Sequence, residues 1–376
     1  MTIKPFDTSK SDAQATVVEP ITPERFDLLK YRDYEEELLE KCGSFWKTDT
    51  GVLVYRRMRV ADVFSYGCRD MKQSLEWQLG ALEMSMQYKA DVPNFLEPWY
   101  GIGTAASAFG AETVWEEGQA PMVRPKFQTL DEALQYSAIP VEETSVGMHT
   151  LSMAEYFLER TCGKMPMSFC DVQSPLNAVC QIIDTGNILT DMIMNPEEVR
   201  RILDRVADLV IRFAQKQKSI IRDSLVCPGH GFASSRAFEG LGVSDDNAVM
   251  LSSDLYQELV GPTMEKISDA SGGIAFHSCG DWSNKIHAVR PIRGLKMVDG
   301  AFSQETDPMP NPPEPFAGGF GSTGIAVNAR MVGDLQTIRE TVKKLWNPPM
   351  KLIVVTYCPT PGEQKKAYDL IHSICS

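Results

Sequence analysis

The sequence predicts an α/β protein whose main domain is a (β/α)8 TIM barrel with an N-terminal helical extension. Short apolar runs alternate with amphipathic helical segments along most of the 376 residues, which is typical of a parallel sheet covered by helices. Roughly six or seven such units follow one another, and this number suits an eight-stranded barrel better than an open sheet. No G-x-G-x-x-G fingerprint opens a helix after the first strand, so a dinucleotide-binding fold is disfavoured.

The extension is predicted over residues 1–50 and the barrel domain over residues 51–376. Residues 1 to about 20 are polar and contain two prolines, so we expect a loose arm there. Thr22, Pro23 and Glu24 then supply the capping hydroxyl, the N-terminal proline and the early acid that begin a helix. Because the residues that follow are rich in glutamate, this helix is expected on the surface.

The rest of the chain divides into alternating strands and helices. The predicted strands cover residues 91–96, 165–172, 224–227, 273–276, 295–298, 320–327 and 351–356. The predicted helices begin at residue 195 and cover residues 255–271, 330–346 and 363–374. Apolar residues at helical spacing support the helix after residue 195, and β-branched residues support the last strand. Pro262 should bend or split its helix, and five prolines make residues 307–315 an irregular loop.

Charge and cysteine content narrow the expected partners and compartment. The net charge of −13 disfavours nucleic acid and anionic membranes as partners. No apolar run approaches the length of about 20 residues that a spanning helix needs. The nine cysteines are an odd number without a secretory signal, so we expect reduced thiols in the cytoplasm rather than a disulfide framework.

The strongest chemical pattern is the H-x-C formed by His277 and Cys279 at the end of a predicted strand. Side chains at i and i+2 share one face of a strand, so both can point into the mouth of the barrel. Cys358 ends a later strand. One imidazole and two thiolates suit Zn²⁺, and three protein ligands leave a fourth position open, as catalytic zinc requires. Glu305 is the first candidate for that position and Glu97 the second. The alternative is a core histidine beside a buried cysteine.

Other polar residues at strand ends are candidates for the pocket. Asp171 and Gln173 form a second i, i+2 pair, and His230 follows another predicted strand. We predict catalytic roles for His230 and Asp171, with structural hydrogen bonding as the alternative. The residues predicted to bind substrate are Glu97, Tyr100, Gln173 and Tyr357.

Two charged groups are interpreted as structural. The basic run Arg-Arg-Met-Arg at residues 56–59 is expected on the surface. Asp245 and Asp246 are expected to cap a helix rather than to take part in chemistry.

Several stretches of this sequence resemble motifs of a known protein family. The first is Phe-His-Ser-Cys-Gly-Asp at residues 276–281. They are similar to an H-x-C-G signature that is paired with a distant cysteine near the C terminus, where Cys358 stands. Residues 97–101, 171–176 and 242–246 agree with further loops of the same group. Over roughly residues 50–376 the chain thus resembles the zinc-dependent corrinoid methyltransferase branch of the uroporphyrinogen decarboxylase superfamily. This branch includes methylcobalamin:coenzyme M methyltransferases and bacterial O-demethylase methyltransferases.

The resemblance implies a (β/α)8 barrel, a zinc ion and a cobalamin methyl carrier. The chain has no D-x-H-x-x-G cobalamin motif, so the cobalamin is expected on a partner corrinoid protein. True decarboxylases bind substrate carboxylates with an arginine-rich motif resembling R-Q-A-G-R. This chain departs from that pattern, which disfavours decarboxylation of a porphyrinogen.

The functional hypothesis is therefore a zinc-dependent methyltransferase, either a monomer or a homodimer, that acts on a small methylated substrate. The N-terminal extension resembles that of the bacterial enzymes and favours O-demethylation of a methoxylated compound. A methylcobalamin:thiol methyltransferase is the first alternative, since both directions use the same metal site. A decarboxylase-like lyase is the second, and a non-catalytic corrinoid-binding scaffold is the third.

Overall fold

The computed structural model describes residues 12–376. Its strands are β1 Gly51–Arg56, β2 Glu112–Val114, β3 Met122–Arg124, β4 Leu241–Ser244, β5 Ile274–His277, β6 Leu295–Ala301, β7 Ala326–Met331 and β8 Lys351–Thr356. Its α-helices are α1 Leu28–Lys47, α2 Met71–Ser85, α3 Thr104–Ser107, α4 Leu130–Gln135, α5 Ser145–Arg160, α6 Pro175–Ile182, α7 Thr185–Met194, α8 Pro196–Ile221, α9 Ser253–Leu259, α10 Gly261–Ser271, α11 Ile286–Val289, α12 Pro313–Phe320, α13 Leu335–Leu345 and α14 Pro361–Cys375. Within residues 12–376, no helix is both long enough and apolar enough to cross a membrane.

Six parallel strands form a continuous sheet in the order β1-β8-β7-β6-β5-β4, and β2 and β3 form a separate antiparallel hairpin. Three extended segments, residues 91–96, 166–174 and 225–228, occupy the gap between β4 and β1. The backbone N–H of Asp91 donates to β1 at 2.8 Å. Leu96 pairs in parallel with Met167, and Gln173 pairs with Ser244 of β4. These segments continue the six-stranded parallel sheet from β4 round to β1, and the predicted fold class is confirmed.

The strand register brings polar residues together at the carboxyl ends of the strands. Ser244 lies opposite His277, His277 opposite Asp299, and Asp299 opposite Asn328. Outside the ring, α8 buries an apolar stripe at helical spacing that includes Ile202 and confirms the predicted helix. The barrel mouth is thus the polar end of an otherwise apolar core.

Four predicted elements have wrong boundaries. The first helix begins at Leu28 instead of Thr22, because the side chain of Asp27 accepts the N–H of Lys30 and caps it. The predicted strand at 320–327 and helix at 330–346 are shifted, since the glycine-rich stretch between α12 and β7 obscures where the strand starts. Arg330 consequently lies in β7, near its carboxyl end. The proline-rich loop is shorter than predicted, because α12 begins at Pro313.

The described part of the N-terminal arm, residues 12–20, lies across the barrel mouth and is not loose. The N–H of Thr16 donates to the carbonyl of Arg59 at 2.6 Å. The side-chain amide of Gln14 donates to the carbonyl of Thr306 at 3.2 Å. Residues 1–11 of the predicted arm lie outside the described residues.

The first helix is also more than a surface element. In α1, Tyr31 and Phe45 are buried, and the buried carboxylate of Glu35 accepts a hydrogen bond from Arg236 at 2.7 Å. The extension therefore packs against the barrel on one face of α1.

Candidate functional site

Three potential metal ligands meet at the carboxyl ends of β4 and β5. His277 ends β5, Cys279 follows two residues later, and Asp246 begins the short 3-10 turn after β4. Their ligand atoms all lie within 4.8 Å of one another. Nε2 of His277 is 3.5 Å from Sγ of Cys279 and 3.6 Å from Oδ1 of Asp246. The structure thus brings the predicted pair together and adds a carboxylate to it.

The spacing of these atoms fits a tetrahedral metal ion. Zinc bonds to nitrogen at about 2.0–2.1 Å and to sulfur at about 2.3 Å, so two such ligands at a tetrahedral angle lie about 3.5 Å apart. The observed separation between Nε2 and Sγ is 3.5 Å. Imidazole, thiolate and carboxylate are also donor types that zinc binds in proteins. The residues present therefore fit this ion.

A buried carboxylate orients the imidazole. Oδ2 of Asp299 lies 2.7 Å from Nδ1 of His277, which leaves Nε2 directed towards Cys279. Asp299 is itself bonded to Arg330 Nε at 2.9 Å and to Asn328 at 2.6 Å. Burial opposes a positive charge on His277, but Cys279 and Asp299 raise its pKa well above the usual value. The surroundings thus favour a cation at this position.

Asp246 takes a different position from the one predicted. Asp245, which precedes the 3-10 turn, makes no side-chain capping bond to it, and its carboxylate instead accepts from the hydroxyl of Tyr256 at 2.7 Å. Oδ1 of Asp246 accepts the backbone N–H of Cys279 at 2.7 Å. The prediction that the two aspartates cap a helix is therefore wrong, because their carboxylates accept hydrogen bonds from Tyr256 and Cys279 instead.

Two other predicted ligands lie outside this group. Cys358 follows β8, is buried, and its carbonyl accepts from Arg56 at 2.9 Å. Burial raises the pKa of its thiol. Glu305 is exposed on the turn after β6. Neither side chain belongs to the group of ligand atoms within 4.8 Å, and their roles as ligands stay predictions.

A second polar cluster contains four of the predicted residues. Nδ1 of His230 lies 2.7 Å from Oε1 of Glu97, and its Nε2 lies 3.6 Å from Oδ2 of Asp171. Gln173 donates to the other oxygen of Asp171 at 2.9 Å. The indole of Trp99 donates to Oδ2 of Asp171 at 3.4 Å. Because the hydroxyl of Ser244 also donates to Asp171, at 3.3 Å, this cluster borders the strand next to His277.

Two glycines shape the loop that carries His230. Gly229 and Gly231 have φ angles of +109° and +75°, which side-chain-bearing residues rarely adopt. The turn places His230 between the two carboxylates. Burial disfavours the imidazolium, but Asp171 and Glu97 raise the pKa of His230 above its usual value. His230 can therefore hold a proton at neutral pH.

The two predicted tyrosines lie in different surroundings. Tyr100 stacks on His149 with ring centroids 3.8 Å apart and lies beside Trp115. Tyr357 is buried directly after β8, and its hydroxyl has no hydrogen-bond partner among the described residues. Their contact with substrate remains a prediction.

The basic run at residues 56–59 is not on the surface as predicted. Arg56 and Arg57 are buried, and Arg59 is about one-quarter exposed, at 23%. Arg56 is held by the carbonyls of Arg57 and Cys358 and by Thr16. The run continues the path of β1 into the barrel mouth, which is why its charges turn inward.

Comparison with known proteins gives a family match over part of the chain and a solved structure of similar fold. Residues 53–219 match the uroporphyrinogen decarboxylase (URO-D) family model. The chain is similar in structure to a methyltransferase from Methanosarcina mazei, with a TM-score of 0.55 and 13% identity, covering 96% of this chain and 92% of that chain. A putative vitamin-B12 independent methionine synthase from Listeria monocytogenes matches with a TM-score of 0.38 and 9% identity, covering 96% of this chain and 97% of that chain. No curated protein matches in sequence. The predicted resemblance to the uroporphyrinogen decarboxylase superfamily is confirmed, and the likeness to the methyltransferase is one of fold.

Sequence reasoning missed several residues that shape the site. Asp299 and Arg330 carry no local motif, and their roles depend on strand neighbours far away in the sequence. Asp246 stands two residues after the end of β4, and its position near a strand end is the one signal that could have identified it. Arg57 directly follows β1, a strand that is not predicted from the sequence.

Proposed function

We propose that this chain is a methyltransferase that removes a methyl group from a small methoxylated compound and passes it to the cobalamin of a partner corrinoid protein. The observation that carries the proposal is the group formed by Asp246, His277 and Cys279 at the barrel mouth. The family match and the shared fold agree with it. In barrels of this kind, reactive groups gather at the carboxyl ends of the strands.

His277, Cys279 and Asp246 would hold the zinc ion. Cys358 and Glu305 stay candidates for a further position. Bound zinc would supply a Lewis acid for the oxygen that carries the methyl group. The protein holds the metal ligands in position. Asp299 does this for His277 through the 2.7 Å contact to Nδ1.

His230 supplies the proton that the leaving oxygen takes up. In demethylation the bond between oxygen and the methyl carbon breaks, the oxygen keeps the electron pair, and the methyl carbon forms a new bond to the reduced cobalt of the corrinoid acceptor. The oxygen then takes up one proton. Held by Glu97 through Nδ1, His230 can donate that proton from Nε2, and Asp171 steadies the imidazolium.

The same reasoning separates demethylation from methylation of a thiol. Transfer from methylcobalamin to a thiol releases one proton instead of consuming one. A histidine whose pKa is raised by two carboxylates can hold the proton that demethylation consumes. We therefore propose demethylation, and thiol methylation is the alternative.

The test begins with the purified full chain. We expect about one zinc per chain by elemental analysis, and formation of methylcobalamin when cob(I)alamin is supplied with a panel of small methoxylated compounds. Cys279→Ser and His277→Ala should lose both zinc and activity. Cys162→Ser is the matched control, because Cys162 is exposed and lies in the turn that follows α5.

Three results would contradict this proposal. Absence of zinc binding would remove its chemical basis. An unchanged rate in Cys279→Ser would indicate that the metal group is not catalytic and would favour a scaffold. Release of carbon dioxide without methyl transfer would favour the decarboxylase-like lyase.

A further inference from the structure

We propose that Asn328 is a positioning residue that couples the metal group to the proton group, because its side chain holds Asp299 and the loop of His230 together. The metal group is Asp246, His277 and Cys279, and the proton group is His230, Glu97 and Asp171. That these groups serve methyl transfer rests on the proposed function. The coupling rests on hydrogen bonds across the barrel and can be measured without any reaction.

One end of the Asn328 side chain contacts the residue that orients His277. Asn328 lies in β7 and is fully buried. It stands opposite Asp299 in the strand register, and its Nδ2 donates to Oδ1 of Asp299 at 2.6 Å. The other oxygen of Asp299 lies 2.7 Å from Nδ1 of His277. Asn328 is therefore two contacts away from a candidate metal ligand.

The other end of the side chain reaches the loop that carries His230. Oδ1 of Asn328 accepts the backbone N–H of Ala233 at 3.1 Å. This loop follows the segment 225–228, whose end is bonded to β4, and β4, β5 and β6 lie between that segment and β7 in the sheet. Since Ala233 is also fully buried, this hydrogen bond crosses the interior of the barrel.

The loop is closed on itself, so that a contact at Ala233 also determines the position of His230. The N–H of Phe232 donates to the carbonyl of Gly229 at 3.0 Å. The N–H of Gly229 donates to the hydroxyl of Ser234, also at 3.0 Å. These bonds join both sides of the turn around His230. A displacement of Ala233 would therefore move the imidazole of His230 relative to its two carboxylates.

The same loop packs against the metal group. The ring of Phe232 lies edge-on to the imidazole of His277, with centroids 6.5 Å apart. On the side of β4, a Cβ on Gly242 would lie 2.9 Å from both the ring of Phe232 and the carbonyl oxygen of Pro228, so the loop is closely packed there. Packing excludes other arrangements of the ring, whereas the directional bond to Asn328 fixes the backbone of the loop.

An amide is suited to this position because its two partners have opposite requirements. The carboxylate of Asp299 needs a donor, and the N–H of Ala233 needs an acceptor. An aliphatic side chain at position 328 would remove one donor from Asp299 and leave the N–H of Ala233 buried without its acceptor, which is costly. A carboxylate would place a second negative charge beside Asp299. Asparagine meets both requirements with one neutral side chain.

Hydrogen exchange measures the coupling without methyl transfer. The purified full chain is followed by hydrogen-exchange mass spectrometry after zinc is removed and again after zinc is restored. A metal ion on His277 restrains Asp299 and, through Asn328, the backbone of Ala233. We therefore expect zinc to slow exchange in peptides covering residues 229–236 by at least about fivefold.

Asn328→Leu should abolish this effect in residues 229–236 and leave the effect of zinc on residues 277–280 in place. Asn328→Ser is measured beside it, because serine is too short to contact both partners and disturbs the packing differently. The same loss of coupling is expected in both variants.

Gln364→Leu is the matched control. Gln364 is likewise a fully buried amide, which accepts from the hydroxyl of Thr356 at 2.8 Å and donates to the carbonyl of Lys89 at 2.9 Å. We expect this variant to lose stability and to retain the effect of zinc on residues 229–236. A loss of that effect in Gln364→Leu equal to the loss in Asn328→Leu would overturn the proposal. So would an effect that persists unchanged in the Asn328 variants.

Kinetics supply a second measurement that a purely structural role would not change. If Asn328 acts through His230, His230→Gln should slow demethylation at least about threefold less in the Asn328→Leu background than in the wild type. Fully additive effects of the two substitutions would contradict a role through His230.

The two proposals fail in different ways. Exchange in residues 229–236 that depends on zinc and on Asn328, without formation of methylcobalamin, would overturn the proposed function and support the coupling. Formation of methylcobalamin with exchange in this loop that is independent of zinc would support the proposed function and overturn the coupling. Absence of zinc binding would overturn both.

Discussion

Asp299→Asn tests whether the buried carboxylate orients the imidazole of His277 for binding a metal ion. Asp299 is 1% exposed, and its Oδ2 lies 2.7 Å from Nδ1 of His277. Asparagine has the same shape and can still accept the N–H of the imidazole through its carbonyl. The substitution therefore removes the negative charge while it preserves the packing.

Two magnitudes follow from these contacts. Loss of a partner that orients a metal-binding histidine typically weakens metal affinity by about 10- to 100-fold, which corresponds to about 1.4–2.8 kcal/mol. Arg330 also loses its charged partner at 2.9 Å. Breaking a buried ion pair costs about 3–5 kcal/mol of stability. The variant should therefore show both weaker zinc binding and a lower melting temperature.

The assay separates these effects by means of a second buried aspartate. Zinc affinity is measured by competition with a chromogenic chelator, and stability by thermal unfolding of the zinc-free chain. Asp91→Asn is the control, because Asp91 is buried and lies 2.8 Å from Nε2 of His372, at the amino end of its strand. We expect both variants to lose stability but only Asp299→Asn to lose zinc affinity. Zinc affinity within about threefold of wild type in Asp299→Asn would refute the role assigned to this carboxylate.

Three further predictions follow from other parts of the molecule. His230→Gln should slow demethylation by about 10²- to 10⁴-fold. In the wild type, activity should fall as the pH rises through the raised pKa of His230, because the proton donor is present only below that pKa; a flat pH–rate profile would contradict this role. Iodoacetamide should label the exposed thiols of Cys162 and Cys279, and zinc should protect Cys279 alone, as peptide mapping can show. Ile202→Ala, at a fully buried position of α8, should lower the free energy of unfolding by about 2–5 kcal/mol in urea denaturation; a loss below about 1 kcal/mol would show that α8 does not seal the barrel as described.

The sequence predicts the strands and helices that have a strong local signal, whereas β1 and β4 are not predicted. The periodic apolar residues of α8 and the β-branched residues of β8 determine these elements nearly alone. The region around Arg330 lacks such a signal, because glycines precede it and a helix follows it closely. The helix predicted over residues 330–346 therefore includes Arg330 and Met331, which belong to β7.

The candidate site is predictable to a similar degree and for a related reason. His277 and Cys279 are two residues apart, so their common direction follows from the pleat of a strand. The pairing of His230 with Glu97 spans 133 positions of sequence. Both residues could be singled out as strand-end groups, but their contact depends on how the ring closes. The inward turn of Arg57 depends on β1, which is not predicted from the sequence.

The order of strands around the ring places the proton group beside the metal group. Glu97 directly follows the segment 91–96, Asp171 lies in the segment 166–174, and the metal group follows β4 and β5. The hydroxyl of Ser244 donates to Asp171, and Ser244 lies opposite His277 in the register of β4 and β5. On the other side, Asp299 connects His277 to Arg330. The polar groups of the mouth are therefore connected through shared partners instead of being isolated.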